Sequence, residues 1–196
     1  MRKSANRLYE VASGQQGFFT TKQALAAGYA ARTHNYHVGT GAWIREYRGI
    51  YRLARFPASM EAQYVLWSLW SRSRSDVPQG VFSHQTALSI HELSDLNPSQ
   101  LHMTVPTTFR RNSALPAVLA FHRADLPETD IEQRQGFRLV RPLRAIADLL
   151  RDEVESSDHL RQALRQALSR GLITRAEIAR HTDQREIEGL LRGARS

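Results

Sequence analysis

Cysteine is absent from the 196 residues, which excludes disulfides and thiolate-bound metal. Lysine is nearly absent: only Lys3 and Lys22 occur, and the other 25 Lys/Arg residues are arginine. A mechanism that needs a lysine beyond residue 22 therefore has no side chain to use. No run approaches the ~18 apolar residues of a membrane span. The start, MRKSANRLYEV, passes from two positive charges directly into an amphipathic pattern with no apolar signal core, so the expected location is the cytoplasm. GxSxG, a P-loop, a Gly-rich dinucleotide turn and HExxH are all missing.

What is present fits an ordinary globular chain, 41% hydrophobic and 23% charged, long enough for one large domain or two small ones. Its net charge of +8 is unevenly spread. Residues 1–57 carry nine Arg/Lys against only Glu10 and Glu46, a surplus of seven, while residues 58–196 carry eighteen against seventeen. Such an asymmetry fits a polyanion-binding module joined to a near-neutral one, with the boundary near Pro57.

In the first module, residues 3–13 place Ala5, Leu8, Tyr9 and Ala12 at helical spacing, and Gly14 stops the helix. Thr20-Thr21-Lys22-Gln23 fits a capping box with Phe19 as the staple residue before it, and Gly28 ends this second helix. A third helix runs from about Ala30 or Ala31 to Val38, with Ala31, His34 and Val38 facing the core. That leaves Arg32, Thr33, Asn35, Tyr36 and His37 mostly outward, where arginine can fork onto guanine and asparagine onto adenine. Residues 43–46 and 50–53 then read as two strands around Tyr47-Arg48-Gly49. Three short helices followed by a hairpin is the order of a winged helix-turn-helix. In that reading Arg45, Arg48 and Arg52 of the wing, with Lys22 near the start of helix two, hold phosphates or the minor groove. Alternation puts Ile50 and Arg52 on one face of the return strand and Tyr51 and Leu53 on the other.

The string G-F-F-T-T-K-Q-A…G-Y…V-G-T-G-A-W-I-R-E-Y-R-G-I-Y-R-L resembles the N-terminal domain of AbiEi-type antitoxins of the abortive-infection, type IV toxin–antitoxin group. Its most specific part is Gly41-x-Trp43-x-Arg45-x-x-Arg48-Gly49-Ile50-Tyr51; His34 departs from the aliphatic residue usual there. The resemblance implies a two-domain protein whose first domain represses its own operon. The second domain would counteract a nucleotidyltransferase-like toxin, with or without direct contact.

After Pro57 the pattern predicts a Ser59-capped helix over Met60–Arg74, with Leu66, Trp67 and Trp70 on its apolar face and Tyr64 beside it. It then predicts a short strand at 80–82, a helix over His84–Leu93 capped by Ser83, and an Asn97-Pro98 turn. Strands follow at 101–105 and 116–122, and then a hairpin over 131–140 around Gln135-Gly136. A helix from Pro142 with Leu143, Ile146, Ala147, Leu149 and Leu150 inward comes next, then three more over about 158–170, 175–181 and 183–192. The expected fold class is α+β: a winged helix-turn-helix over 1–57, then a mixed domain over 58–196 with a small sheet and C-terminal helices. S-H-Q-T-A-L-S-I-H-E-L, L-H-M-T-V-P, F-H-R and R-P-L-R-A-I-A-D-L-L also resemble the second half of the same family.

Histidines at 84, 91, 102 and 122 raise a metal site, but their spacing contains no ligand motif, and Ser83-His84 adjacency is a poor basis for a nucleophile. Asp148, Asp152, Glu153 and Glu155 read as solvated charge along a helix end. No catalytic set, metal or cofactor is therefore expected. The expected function is an operator-binding antitoxin, acting on double-stranded DNA as two copies on repeated half-sites, with a cognate toxin and no membrane as partners. An endonuclease-like enzyme is the rival, weakened by the missing lysine; others are a regulator without a toxin and a protein-interaction module.

Overall fold

The computed structural model describes residues 2–94, 98–153 and 155–193; the expected turn at Asn97 lies outside them. The chain divides into two compact units, Met1–Gly80 with Gln133–Arg138, and Val81–Glu132 with Leu139–Ser196.

The first unit opens on α1 (Arg2–Ser13), which buries only Leu8 and Ala12; Ala5 and Tyr9 are exposed, so the apolar stripe is narrower than its spacing implied. The following loop enters β1 (Phe18–Thr20), a strand that the residue pattern does not announce. Three residues carry too little periodicity for that. Pairing makes it a strand, through Phe18↔Arg52, Phe19↔Tyr51 and Thr20↔Ile50. α2 (Thr21–Ala26) has the expected capping box of Thr20 and Gln23. It closes on Gly28 at φ +100°, with Gly28 N–H bonded to Leu25 O and Tyr29 N–H to Ala24 O, the paired bonds of a Schellman end.

A 3-10 turn over Ala31–Thr33 leads into α3 (His34–Gly39). His34 is buried and Val38 half-buried as expected, but Ala31 is exposed. A 3-10 turn advances about 120° per residue, so the helical register cannot be carried back through it. β2 (Trp43–Tyr47) and β3 (Ile50–Leu53) form the hairpin, turning at Gly49 with φ +72°. The sheet runs β1-β3-β2 with all pairs antiparallel. One face carries Phe19, Tyr51 and Trp43, buried with Leu8, Ala12, Ala24 and Ala27. The other carries the buried Phe18, Thr20 and Ile50, and α4 (Ala62–Trp70) packs against β1 and β3.

α4 is shorter than predicted. Ser59 Oγ accepts from Glu61 N–H one turn ahead of the helix instead of capping it, and the Ser71 hydroxyl binds the amides of Gln79 and Gly80 beyond its end. Its buried side is Val65, Ser68, Leu69 and Trp70; Leu66 and Trp67 are half-buried, so the expected face is turned by one residue.

The second sheet is built from β4 (Val81–Phe82), β5 (Leu101–Val105), β6 (Leu119–Arg123), β7 (Ile131–Arg134) and β8 (Phe137–Val140), with α5 (His84–Ile90) after β4. Gln133 and Arg134 of β7 and Phe137 and Arg138 of β8 count with the first unit, the rest with the second. The strand order is β6-β5-β4-β8-β7, antiparallel between β4 and β5 and parallel for β5–β6 and β4–β8, hence a mixed sheet. α6 (Pro142–Asp152) starts on Pro142 as predicted and buries Ala145, Ile146, Ala147 and Leu149. It also buries Asp148, which is no solvated charge: Arg144 Nε lies 2.8 Å and Arg151 Nη1 3.2 Å from its carboxylate. α7 (Ser157–Ser169), α8 (Arg175–Arg180), with its Thr174/Glu177 capping box, and α9 (Gln184–Arg192) complete the core around Leu160, Leu164, Ile178 and Ile187. α5 ends at Ile90, three residues early, and the Ser83 hydroxyl makes no capping bond to it.

Candidate nucleic-acid interface

α3 and the β2–β3 hairpin are fixed to each other by rings. Trp43, at the start of β2, is buried and stacks on His37 of α3 with centroids 4.7 Å apart. Tyr29 meets both His37 and Trp43 edge-on at 5.0 Å. Burial, with His34 beside it, lowers the His37 imidazole below the ordinary histidine range, so it is uncharged at neutral pH. His37 is thus half-buried and engaged in packing.

The remaining helix candidates divide by what their side chains already do. Arg32, Asn35 and Tyr36 are exposed, Tyr36 at 67%. Thr33 is half-buried and its hydroxyl donates to Ala30 O at 2.7 Å. On the hairpin, Arg45 stands opposite Tyr51 and leaves the sheet on the same face as Trp43, the face α3 packs against. Arg45 and Arg48 are both exposed, and among the described residues neither they nor Arg32 has an acidic partner. Arg52 differs: its Nε lies 2.6 Å from Glu46 Oε1, and its guanidinium sits over the Phe18 ring at 5.9 Å. Alternation already puts Glu46 on the Ile44/Arg52 face of the hairpin, and the register shifts between Arg45 and Tyr47. Lys22 is exposed, with its ammonium donating to the carbonyl of Arg74.

Unpaired arginines on a hairpin, beside a helix with exposed Arg, Asn and Tyr, make a surface of the class that meets nucleic acid: cations for phosphates and fork-shaped polar groups for base edges. Residues 6–54, from within α1 to just past the end of β3, match the family described as "Transcriptional regulator, AbiEi antitoxin", a family of DNA-binding antitoxins. The match spans a quarter of the chain and takes in every residue of the candidate interface. No curated protein matches the chain. The RV2827C protein from Mycobacterium tuberculosis, known from a crystal structure, aligns at 14% identity over 97% of this chain and 71% of its own. The TM-score of 0.46 is too low to define a shared fold. No helix among the described residues is long and apolar enough to cross a membrane.

Proposed function

We propose that the protein is an operator-binding antitoxin that represses its own operon from the cytoplasm, with the first unit acting as a winged helix-turn-helix. The observation that carries this reading is the placement of unpaired Arg45 and Arg48 beside the exposed Arg32, Asn35 and Tyr36. In it α3 enters the major groove, where Arg32, Asn35 and Tyr36 read base edges and Thr33 offers its methyl to a thymine. Arg45 and Arg48 hold the backbone or minor groove from the hairpin, and Lys22 meets a phosphate by giving up the Arg74 carbonyl. His37 and Arg52 would have to leave Trp43 and Glu46 to touch DNA, so their role here is to support the residues that do. Two copies on repeated half-sites would occupy the operator. The 58–196 segment is assigned to counteracting a nucleotidyltransferase-like toxin encoded beside it.

Fluorescence anisotropy on duplex DNA from the upstream promoter region tests the interface. Wild type is expected to bind with an affinity that falls steeply with salt. Arg45→Ala/Arg48→Ala is expected to weaken binding and to reduce the log–log salt slope by about 0.9 for each phosphate left without its arginine. A double variant that binds as tightly as wild type at moderate salt removes the wing assignment, and binding indifferent to salt removes the electrostatic basis. Co-expression with the neighbouring gene product separates the antitoxin reading from a regulator without a toxin.

A further inference from the structure

His84, His102 and His122 lie far apart in the sequence, but the second unit gathers them at the last residue of α6, Asp152. His84 Nε2 is 3.2 Å and His122 Nδ1 3.8 Å from the same carboxylate oxygen, Oδ2 of Asp152. One ligand atom from each of His84, His122 and Asp152 falls within 4.8 Å of the others. We propose that these three residues bind one divalent transition-metal ion of the Zn²⁺ class, with His102 as the positioning residue that orients His122.

The donor set selects the ion. Two imidazoles and a carboxylate suit borderline metals, whereas Mg²⁺ and Ca²⁺ call for oxygen ligands throughout. The outer nitrogens are backed as ligand histidines require. His84 Nδ1 lies 2.9 Å from Ser83 Oγ, and that oxygen also accepts from Thr104 Oγ1 at 2.8 Å. His122 Nε2 lies 2.9 Å from His102 Nδ1. With the ion bound, His84 Nδ1–H donates to Ser83 and His122 Nε2–H donates to His102. Both inner nitrogens are then free of protons and turned toward Asp152. Without the ion, the same hydroxyl and the same His102 can exchange donor and acceptor roles, so the rings hold their protons toward the carboxylate. Ser83 and His84 thus do face each other, contrary to the expectation for adjacent residues. The reason is His84's φ of +53°, a left-handed backbone that a non-glycine residue keeps only where its surroundings impose it.

Burial holds the three imidazoles below the ordinary histidine range, His84 at about 4, which keeps them in the neutral form a metal needs. Access remains open from one side: the side chains of Asp152 and His122 are 39% and 28% exposed. The His84 and His122 rings are stacked at 3.5 Å and 16°, so a shared ion requires one ring to tilt, and the half-exposed His122 is the one with room. The fourth histidine, His91, is engaged elsewhere, its Nε2 2.9 Å from Val140 O. Arg144 is tied to Asp130 and Asp148 and leaves Asp152 free.

The test is calorimetric titration of the EDTA-stripped full chain with ZnCl₂ near neutral pH, with Co²⁺ absorption spectra as a ligand readout. Wild type is expected to take up one ion per chain. Asp152→Asn and His122→Gln are each expected to weaken binding at least ~10-fold and to abolish the Co²⁺ ligand-field bands, and His102→Gln to weaken it roughly 10-fold. His159→Gln, at an exposed histidine on α7, should bind as wild type does. Circular dichroism in EDTA confirms folding of each variant. If one variant unfolds, the other decides, and the wild-type stoichiometry and spectrum stand independently of both. No uptake by wild type, or Asp152→Asn and His122→Gln binding like wild type, overturns the site. None of these readouts involves DNA.

Discussion

His34 shows how much one side chain can depart from its role in a pattern. Its place in the helical spacing marked it for the core, and it is indeed buried, with Trp43 and Tyr51 at ring distances of 5.3 and 5.9 Å. Its Nε2 is buried there without a hydrogen-bond partner. An unmet buried polar atom costs roughly 1–3 kcal/mol. His34→Leu is therefore expected to raise the stability of the first unit by about 1 kcal/mol, read as a higher urea midpoint at unchanged m-value. A lower midpoint would mean that the ring packing outweighs the orphaned nitrogen. Asp148 carries the opposite lesson. It was legible as a charge but not as a buried one, although Arg144 four residues before it and Arg151 three after it were the available signal. Burial raises its carboxyl pKa even against those two arginines.

At the scale of elements, local chemistry was readable and pairing was not. Both capping boxes, Thr20 with Gln23 and Thr174 with Glu177, form as their three-residue spacing required, because every partner lies within one turn. β1 was invisible because its identity resides in β3, some thirty residues on. α4 was misjudged at both ends and by one residue in phase because its buried side is chosen by β1 and β3. Of the candidate interface, Arg32, Asn35, Tyr36, Arg45 and Arg48 were legible as outward residues. The engagement of His37 by Trp43 was not, since it depends on ring packing between elements, whereas that of Arg52 by Glu46 had a signal in the hairpin's alternation, which puts both on one face. The two caps should respond differently to removal. Thr174→Ala is expected to cost about 1 kcal/mol, as for an exposed cap. Thr20→Ala is expected to cost about 2 kcal/mol, because the fully buried Thr20 hydroxyl also donates to Asp76. Thermal melts of the two single variants check the order, and equal shifts would deny the Thr20–Asp76 bond any weight.

For the whole molecule, the histidines set a pH dependence of one sign. His37, His84, His102 and His122 are all lowered from 6.5, chiefly by burial, His84 to about 4. The unfolded chain takes up protons near 6.5 while the folded chain resists until lower pH. The associated stability is therefore fully present above about pH 6.5 and is lost progressively as pH falls toward about 4. Urea midpoints in EDTA-containing buffer are expected to be clearly lower at pH 5 than at pH 7.5; equal midpoints would mean the imidazoles are not buried as described. The histidine–aspartate cluster itself was beyond sequence reading, because residues 84, 122 and 152 meet only where α5, β6 and α6 come together, and no spacing motif encodes that meeting.

The parallel pairing of Phe82 with Leu139 has a consequence in time. The two residues are about 57 positions apart, so at a synthesis rate of about 5–20 residues per second β4 waits roughly 3–11 seconds for its second neighbour to be made. Until β8 arrives, the new chain exposes a strand edge at the centre of its future sheet. Assembly of that unit is thus a late event, governed by closing one long loop, while the hairpin of β2 and β3 closes within microseconds of being made.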